Sequence, residues 1–563
     1  MKQGAFSIML HSHLPYCRQA GRWPHGEEWI HEAAVGCYLP LLQALWDLEE
    51  EGTPFRLAIG VTPVLAEQLA DPLVQEHLEE YLDDKIRRAS EDVERFEKGG
   101  EGHLAHLARF FNHRYEGLLD GYRERLGRNL VGGLKAFQDE GFLEVATSAA
   151  THGYLPLLRR DSSIYGQVLV GVETYERHFG KRPRSIWLPE CGYRPAYYAQ
   201  EDGRTYVKPG IESFLAELGL RCFFTETHMV EGGAPVGKAL GEVIGPYGTV
   251  RRRYVLPQLD QAPPTRSTAY LPYWVVPGQV AVLGRNDRTS MQVWSGDHGY
   301  PGEPLYQEFH KRDGVSGLRY WRITGARVDL GQKDLYDPWR AEKLVQAHAD
   351  HFVSLVEELV TKFHQETGKY GIVLAAYDTE LFGHWWFEGV DWLAGVLRRL
   401  AESRVVELTT PNDYLQKHPP EESLGLPEGS WGQGGSHFTW MNVDTEWMWP
   451  VIHEAEARME QLAGRYPDAG GALAETLIQA GRELLLLQSS DWPFLVTTGQ
   501  AKEYAIDRFK EHVERFHRLA DAAETGKVNQ GQASYARELY ELDKVFPELD
   551  YRVFASREGW AEG

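Results

Sequence analysis

Residues 371–402, GIVLAAYDTELFGHWWFEGVDWLAGVLRRLAE, contain a strand pattern followed directly by a helix pattern. The apolar run 371–377 has the length of a buried strand. From Trp385 to Glu402 the apolar residues recur with helical spacing. A buried strand that leads into an amphipathic helix is the βα unit of a parallel sheet.

Seven other short apolar runs occur in the chain, and most are separated by long amphipathic segments. They lie at residues 5–10, 55–61, 143–147, 185–189, 221–225, 280–284 and 405–408. Seven or eight strands of this kind fit a barrel better than an open sheet. We therefore predict an α/β fold built on a (β/α) barrel.

Some regions depart from this alternation. Residues 71–139 are rich in Glu, Arg, Leu and Tyr without a strand pattern, which predicts a helical insertion. Residues 226–279 hold many prolines and glycines and predict a long irregular loop. Beyond the barrel domain, placed at residues 1–410, long helical patterns predict a helical C-terminal domain over residues 411–563.

The composition narrows the kinds of partner and compartment. The 563 residues are 42% hydrophobic and 25% charged, and no apolar run approaches the roughly 20 residues that span a bilayer. A formal charge of −23 argues against nucleic acid, because such binding needs a basic face. The four cysteines form no CxxC pair, and the N-terminal stretch lacks a cleavage site. We therefore expect a cytoplasmic protein without membrane or nucleic-acid partners.

Titratable side chains follow the predicted strands at their carboxyl ends. They are His11 and His13 after the first strand, His152 after the third, Glu190 after the fourth, Arg285 after the sixth and Asp378 after the seventh. In a parallel barrel these points meet on one rim, where catalytic groups lie. Glu190 and Asp378 are therefore expected to be neighbours.

Two chemistries suit such a rim. In the first, Glu190 and Asp378 are the nucleophile and the general acid/base of a glycoside-processing enzyme, and a separation of about 5 to 5.5 Å gives retention of configuration. The histidines and the arginine then hold sugar hydroxyls. In the second, the three histidines and Asp378 bind a divalent metal that activates water, as in amidohydrolase-type barrels. The 17 tryptophans and 28 tyrosines favour the first, because aromatic faces stack on sugars.

Each of these residues also has a purely structural interpretation. Buried histidines can be satisfied by backbone groups, and His152 can be a turn residue. Arg285 can be a salt-bridge partner, and Asp378 can cap the helix that follows it. Only their common position on one rim favours a functional interpretation.

Five motifs occur in the order HSHLPY, SAATHGYLPLL, SIWLPECGY, AYDTELFGHWW and HFTWMN. Together they resemble the ordered sequence regions of glycoside hydrolase family 57. The stretches LPEGSWG and SSDWPFLVTTGQAKEYA resemble the 1,4-α-glucan branching enzymes of that family. The resemblance runs from Phe6 to about Phe509. It implies a distorted seven-stranded (β/α) barrel, an all-α C-terminal domain that contributes aromatic residues to the cleft, a retaining mechanism, and no metal or other cofactor.

The resemblance also assigns roles to individual residues. It places the nucleophile on Glu190 and the acid/base on Asp378. The positions that match the family's donor subsite are His11, His13 and His152, and those that match substrate contacts are Trp294, Trp431, Trp440 and Asp491. A mobile loop tyrosine that favours transfer to sugar over transfer to water is implied between the fifth and sixth strands. Its candidates are Tyr247, Tyr254 and Tyr270.

We therefore expect a branching enzyme that cleaves α-1,4 and forms α-1,6 linkages in amylose or a glycogen-like polymer, as a monomer or a weak homo-oligomer. An α-amylase or a 4-α-glucanotransferase would use the same two carboxylates. The alternatives from other classes are a metal-dependent amidohydrolase and a non-catalytic glucan-binding protein.

Overall fold

The computed structural model describes residues 2–556 apart from 202–203, 236–243, 246–247, 250–264, 278, 295–298 and 326. Over these residues the chain is an α/β fold in which parallel strands are covered by helices. None of the helices described is both long enough and apolar enough to cross a membrane.

The strands and helices follow one another along most of the chain. In chain order the strands are β1 (Gly4–Ser12), β2 (Leu57–Val61), β3 (Leu143–Ala146), β4 (Ser185–Ile186), β5 (Tyr197–Glu201), β6 (Arg204–Lys208), β7 (Cys222–Thr225), β8 (Ile244–Gly245), β9 (Gly248–Thr249), β10 (Tyr273–Val275), β11 (Val280–Gly284), β12 (Gly371–Asp378), β13 (Val406–Leu408) and β14 (Ser423–Leu424). The helices are α1 (Glu27–Ala33), α2 (Leu39–Glu50), α3 (Pro63–Ala70), α4 (Pro72–Lys98), α5 (Gly102–Asp120), α6 (Leu130–Asp139), α7 (Asp161–Phe179), α8 (Ile211–Glu217), α9 (Thr227–Glu231), α10 (Asp287–Trp294), α11 (Pro338–Thr367), α12 (Gly389–Glu402), α13 (Pro411–Lys417), α14 (Met448–Arg465), α15 (Gly471–Leu487), α16 (Asp491–Thr498), α17 (Lys502–Glu524) and α18 (Gln530–Leu542).

The main strands form two five-stranded sheets. One has the order β12–β1–β2–β3 with β13 also paired to β1, and the other has the order β14–β10–β11–β7–β4. All pairs in these sheets are parallel except β10 with β11. The eight predicted strands are all present, at β1, β2, β3, β4, β7, β11, β12 and β13.

The closed seven-stranded barrel is not found among the described residues. β4 is only two residues long, because Pro189 opens a tight turn soon after it. The two sheets meet at a bridge between Thr147 and Ile186, and again where the backbone N–H of Asn286 donates to the carbonyl oxygen of Leu374 at 2.8 Å. Both junctions are too short to be continuous strand pairing.

Three other regions differ in part from the prediction made from the sequence. Helices α4 to α6 fill residues 72–139, and α4 begins where the side chain of Asp71 accepts the backbone N–H groups of Leu73 and Val74. The interval predicted as an irregular loop contains α9 and β10, and the β5–β6 hairpin was not predicted. The segment 411–563 is not purely helical, because β14 within it pairs with β10.

The pairing of β1 with β12 places His11 beside Asp378. All nine residues of β1 are buried, as expected for a strand covered on both faces. β1 pairs with β12 from Gly4 opposite Gly371 to His11 opposite Asp378. The carboxyl ends of the two strands therefore lie at the same edge of the sheet.

Candidate active site

Glu190 stands in a tight turn after β4. Pro189 opens the turn, and Glu190 and Cys191 take the left-handed backbone conformation, with φ of 60° and 51°. Residues other than glycine rarely adopt this conformation, and such positions cluster at functional sites. Trp431 holds the turn, because its backbone N–H donates to the Glu190 carbonyl oxygen at 3.0 Å and its indole N–H donates to Glu190 Oε2. The half-buried carboxylate of Glu190 is therefore fixed from a distant part of the chain.

Asp378 is the last residue of β12 and lies beside His11 in the parallel pair. Two contacts hold the turn that follows it. Ser12 Oγ lies 2.7 Å from Thr379 Oγ1, and Cys37 Sγ donates to the Thr379 carbonyl oxygen at 3.0 Å. The half-buried Asp378 carboxylate therefore precedes a turn that Ser12 of β1 and Cys37 hold in place.

Three histidines form one cluster at this edge, as the sequence predicts. His11 Nε2 and His152 Nε2 are 3.1 Å apart, and the ring centroids of His13 and His152 are 3.9 Å apart. His11 also stacks on Trp187, with 5.0 Å between ring centroids. His152 also has a positive φ of 57°, a second strained position in the same cluster.

The aromatic contacts link the two carboxylates. Trp187 lies 5.0 Å from the ring of Trp431, which holds Glu190. Trp187 also stacks on His11, which is the register partner of Asp378. Glu190 and Asp378 are thus connected through a short chain of rings at the strand ends.

The start of α16 completes the cluster, through Ser490 and Asp491. His13 Nε2 lies 3.0 Å and 3.2 Å from the two carboxylate oxygens of Asp491, and His13 Nδ1 lies 3.1 Å from Thr62 Oγ1. His152 Nδ1 lies 2.8 Å from Ser490 Oγ. Both ring nitrogens of His13 are engaged, which argues against His13 as a metal ligand.

A cluster with metal-ligand spacing lies elsewhere. Among the described residues, the ligand atoms of Glu483, His512 and Asp543 fall within 4.8 Å of one another, and all three side chains are buried. Arginines occupy this cluster instead. Arg515 donates to Asp543 Oδ2 at 2.7 Å, and Arg508 Nη2 lies 2.9 Å from His512 Nε2. The arrangement is a buried ion-pair network.

The pKa of His13 is raised above its ordinary value of 6.5. Burial alone lowers it, but the adjacent Asp491 carboxylate, together with Glu190 and Glu380, outweighs this effect. His13 therefore lies close enough to Glu190 for the charge of that carboxylate to raise the pKa of the imidazole.

We expect Asp491→Asn to lower the pKa of His13, because the substitution removes the carboxylate that holds the proton. In the wild type the folded-state pKa lies above 6.5, so protonation of His13 stabilises the fold fully below pH 6.5, and this stabilisation is lost as pH rises through the folded-state pKa. The difference in free energy of unfolding between wild type and variant should therefore be larger near pH 5.5 than near pH 9. Chemical denaturation at both pH values measures it, and an equal difference at the two would contradict the assignment.

Arg285 lies close to the ring of Trp431 and is 2% exposed. Its Nη1 donates to Glu226 Oε1 at 2.6 Å and its Nε donates to Ser290 Oγ at 2.7 Å. The guanidinium carbon lies 6.0 Å from the ring centroid of Trp431. These contacts favour a positioning role for Arg285 and agree with its salt-bridge interpretation, since two of its nitrogens already donate within the protein.

The predicted tryptophans are all buried. Trp431 joins the Glu190 turn, as described above. Trp440 stacks on Tyr154 with ring centroids 4.2 Å apart and an interplanar angle of 17°. Trp294 ends α10. The structure therefore brings Trp431 directly to Glu190, whereas Trp440 packs against the strand-end segment that follows His152.

The loop tyrosine candidates are Tyr247, Tyr254 and Tyr270. Tyr247 and Tyr254 lie outside the described residues. Tyr270 is directed elsewhere, because its ring stacks on Phe363 of α11 at 4.8 Å and its carbonyl oxygen accepts from Ile372, near the amino end of β12. Tyr270 is therefore corrected from a candidate lid residue to a packing residue between α11 and β12.

Glu380 is a site residue that the sequence reasoning missed. It is buried, and its Oε1 accepts from the backbone N–H of His13 at 3.1 Å and from the hydroxyl of Tyr38. The pKa of Glu380 is raised to about 7, mainly by burial. The Asp378 carboxylate also raises this pKa, whereas the hydrogen bond from Tyr38 lowers it. Its position two residues after Asp378 in the DTE triplet was the available signal.

We expect Glu380→Gln to gain stability relative to wild type as pH rises. The folded wild type binds the Glu380 proton up to about pH 7, whereas the unfolded chain releases it near pH 4.5, so wild-type stability falls across this window. This difference between the folded and unfolded pKa values corresponds to a loss of roughly 3 kcal/mol in the free energy of unfolding. The amide keeps an acceptor for Tyr38 and lacks the charge. Unfolding free energies between about pH 4.5 and 8 test this, and a constant difference between the two proteins would refute it.

Two known protein families match most of the chain. Residues 7–427 match glycosyl hydrolase family 57, and residues 451–554 match the family described as 1,4-alpha-glucan branching enzyme, C-terminal. A 1,4-alpha-glucan branching enzyme of Thermococcus kodakarensis is 44% identical over 547 residues, which are 97% of this chain and 77% of that protein. The crystal structure of this relative in complex with glucose superposes with a TM-score of 0.88, at 42% identity, covering 99% of this chain and 97% of the other.

Two further solved structures are similar over nearly the whole chain. A branching enzyme of this family from Pyrococcus horikoshii has a TM-score of 0.87 and 40% identity, covering 99% of this chain and 97% of that one. The α-amylase AmyC of Thermotoga maritima has a TM-score of 0.82 and 31% identity, covering 99% of this chain and all of that one. On the extent of these matches, the chain belongs to glycosyl hydrolase family 57.

Proposed function

We propose that the protein is a 1,4-α-glucan branching enzyme that works by retaining double displacement, with Glu190 as nucleophile and Asp378 as general acid/base. The observation that carries this proposal is the pair of half-buried carboxylates, one just after β4 and one at the end of β12, joined through the rings of His11, Trp187 and Trp431. The similarity to branching enzymes at 44% identity over most of the chain supports the substrate and the reaction.

In the first step the Glu190 carboxylate attacks the anomeric carbon of an α-1,4-linked glucosyl unit. Asp378 donates its proton to the glycosidic oxygen, so the bond between that carbon and the oxygen breaks and the leaving glucan departs with a free 4-hydroxyl. The product of this step is a glycosyl ester on Glu190 with inverted configuration.

In the second step Asp378, now ionised, takes the proton of an acceptor 6-hydroxyl. That oxygen attacks the anomeric carbon, the ester bond to Glu190 breaks, and an α-1,6 linkage forms with net retention. Each residue thus returns to its initial protonation state at the end of the cycle.

The remaining site residues support the nucleophile and bind sugar. The indole N–H of Trp431 donates to Glu190 and orients its second oxygen for attack. His13, whose pKa is raised by Asp491, lies near the nucleophile, and His11 and His152 offer ring nitrogens to sugar hydroxyls. In this proposal Arg285 acts through Trp431.

We infer that the two sheets act together as one distorted barrel. The junctions at Thr147–Ile186 and Asn286–Leu374 support this reading, because they continue the strand order around the site. The region after β14 then supplies Trp431 and Asp491 from outside the barrel. The cytoplasm is the proposed compartment, supported by four buried cysteines that are all free thiols.

Product analysis on amylose tests the activity. Proton NMR of the product counts new α-1,6 linkages, and a reducing-end assay counts hydrolysis. We expect α-1,6 linkages to rise with far fewer new reducing ends. The similarity to an α-amylase at 31% identity makes hydrolysis the second candidate. Reducing ends that rise without α-1,6 linkages would support that candidate, and redistributed chain lengths without either change would indicate a 4-α-glucanotransferase.

A further inference from the structure

A pocket lies on the side of the helical insertion, next to the segment that follows Asp378. Its walls come from α1 and the π-helical turn Ala34–Tyr38, from α4 and α5, from residues 307–319, and from residues 383–387. The pocket has a volume of about 70 Å³ that water-sized atoms can enter. Since one water needs roughly 10–15 Å³ by this measure, the pocket has room for a group of about five heavy atoms.

The lining of this pocket is strongly cationic, although the whole chain carries a charge of −23. Its charged lining residues other than His384 are Lys85, Arg114, Arg312, Arg319 and Glu32. Arg312 Nη2 donates to Glu32 Oε1 at 2.8 Å, and Arg319 Nη2 lies 3.9 Å from the same oxygen, so this one carboxylate faces two guanidinium groups. Three cationic side chains are left without an equal number of carboxylates in the lining.

Arg319 is the most unusual of these cations. Its guanidinium stacks over Phe309 at 4.3 Å, and its Nη2 lies 3.9 Å from Glu32, beyond hydrogen-bond distance. Within the part of the chain that the structure describes, its buried Nε and Nη2 have no hydrogen-bond acceptor. A buried guanidinium donor without an acceptor is costly, because the group has lost water and gained no partner.

Burial lowers the pKa of two cations at this pocket. Burial lowers the pKa of Arg319, and burial lowers the pKa of Lys85 to about 8 despite the attraction of Glu32 and Glu28. An anion in the pocket would offset both effects, because it favours the charged form of each group.

We propose that this pocket is a binding site for a phosphate-type oxyanion, either inorganic phosphate or the phosphate group of a sugar phosphate. The planar fork of an arginine matches the spacing of two phosphate oxygens, and such paired bonds are stronger than neutral ones. Arg319 supplies the two buried donors, and Arg114 and Lys85 supply positive charge from α5 and α4. Tetrahedral oxyanions of about five heavy atoms fit the volume of the pocket.

The pocket shares its walls with the turn that carries Asp378. Gly36 and Gly383 are in such close approach that a Cβ added at Gly383 would lie 2.1 Å from the Gly36 carbonyl oxygen. Residues close to these two glycines in the chain also meet, because Cys37 donates to the Thr379 carbonyl oxygen and Tyr38 donates to Glu380. An anion in the pocket would therefore shift the turn that carries Asp378 and change the rate of branching. This effect rests on the proposed function, whereas the binding itself does not.

Calorimetric titration with sodium phosphate, against sodium chloride at equal ionic strength, tests the site. We expect saturable binding with a dissociation constant on the order of 1 mM, and at least about tenfold weaker binding by Arg319→Gln. Arg322→Gln is the matched control, because Arg322 lies on the same segment but pairs with Asp334 and does not line the pocket. It should bind phosphate like the wild type.

Arg114→Gln gives an independent variant if Arg319→Gln fails to fold, and it is expected to weaken binding as well. Glucose 1-phosphate in place of phosphate distinguishes the two sources of the anion, because tighter binding of the ester would assign the sugar phosphate. No saturable heat with either anion, or equal binding by wild type and both pocket variants, would overturn the proposal. Branching rates with and without phosphate then test the coupling, and an unchanged wild-type rate at saturation would overturn that part alone.

Discussion

Glu190→Gln is expected to lower the rate of glucan transfer by roughly 10⁴-fold or more, while the affinity for amylose changes by only a few-fold. The amide keeps the size of the carboxylate and can still accept the indole N–H of Trp431, so the turn should keep its shape. It cannot form the glycosyl ester that the proposed first step needs.

Initial rates of α-1,6 formation and binding of amylose by calorimetry measure these two effects separately. Glu428→Gln is the matched control, because Glu428 is an exposed carboxylate close to Trp431 in sequence that pairs with His437. It should retain activity within a few-fold and unfold at nearly the wild-type temperature. A Glu190→Gln enzyme with unimpaired turnover would remove Glu190 from the mechanism.

Asp378→Asn is expected to lower the rate on amylose by about 10²- to 10⁴-fold, the range lost with a general acid/base. The loss should depend on the leaving group, because Asp378 acts in the first step by protonating it. With α-glucosyl fluoride, whose fluoride departs without a proton, the first step should be restored to near the wild-type rate. Azide should then accept the glycosyl group, because an anionic nucleophile needs no general base.

Asp391→Asn, which changes an exposed carboxylate on α12, is the control and should behave as wild type on both substrates. Equal losses on amylose and on the fluoride would contradict an acid/base role for Asp378. They would instead indicate that the substitution disturbs the turn held by Ser12 and Cys37.

The strands were predictable because their sequence signal is local. The run from Gly371 to Tyr377 is apolar throughout, and β12 occupies it with one further residue, Asp378. The arrangement into two sheets was not predictable in this way. It depends on the turn at Pro189, which shortens β4, and on the pairing of β14 with β10 over about 150 residues of sequence, a separation that a pattern of neighbours does not encode.

The site shows the same division. Glu190, Asp378 and the histidines could be proposed because each stands at or just after a strand end, and parallel strand ends meet at one edge. Glu380 was missed because its role depends on Tyr38 and on the backbone of His13, both far away in sequence. The placement of Tyr270 failed for the same reason. Its partner Phe363 lies on α11, and nothing near Tyr270 in the sequence indicates that contact.

The central claim is that the glucosyl unit is carried by Glu190. Its most direct test is to treat the enzyme with a fluorinated α-glucosyl fluoride, which forms the glycosyl ester quickly and releases it slowly, and to locate the label by peptide mass spectrometry. Our account predicts one added glycosyl group on the peptide that contains Glu190, lost again when a glucan acceptor is added. A label on Asp378 or Glu380, or full inactivation without any label, would contradict it.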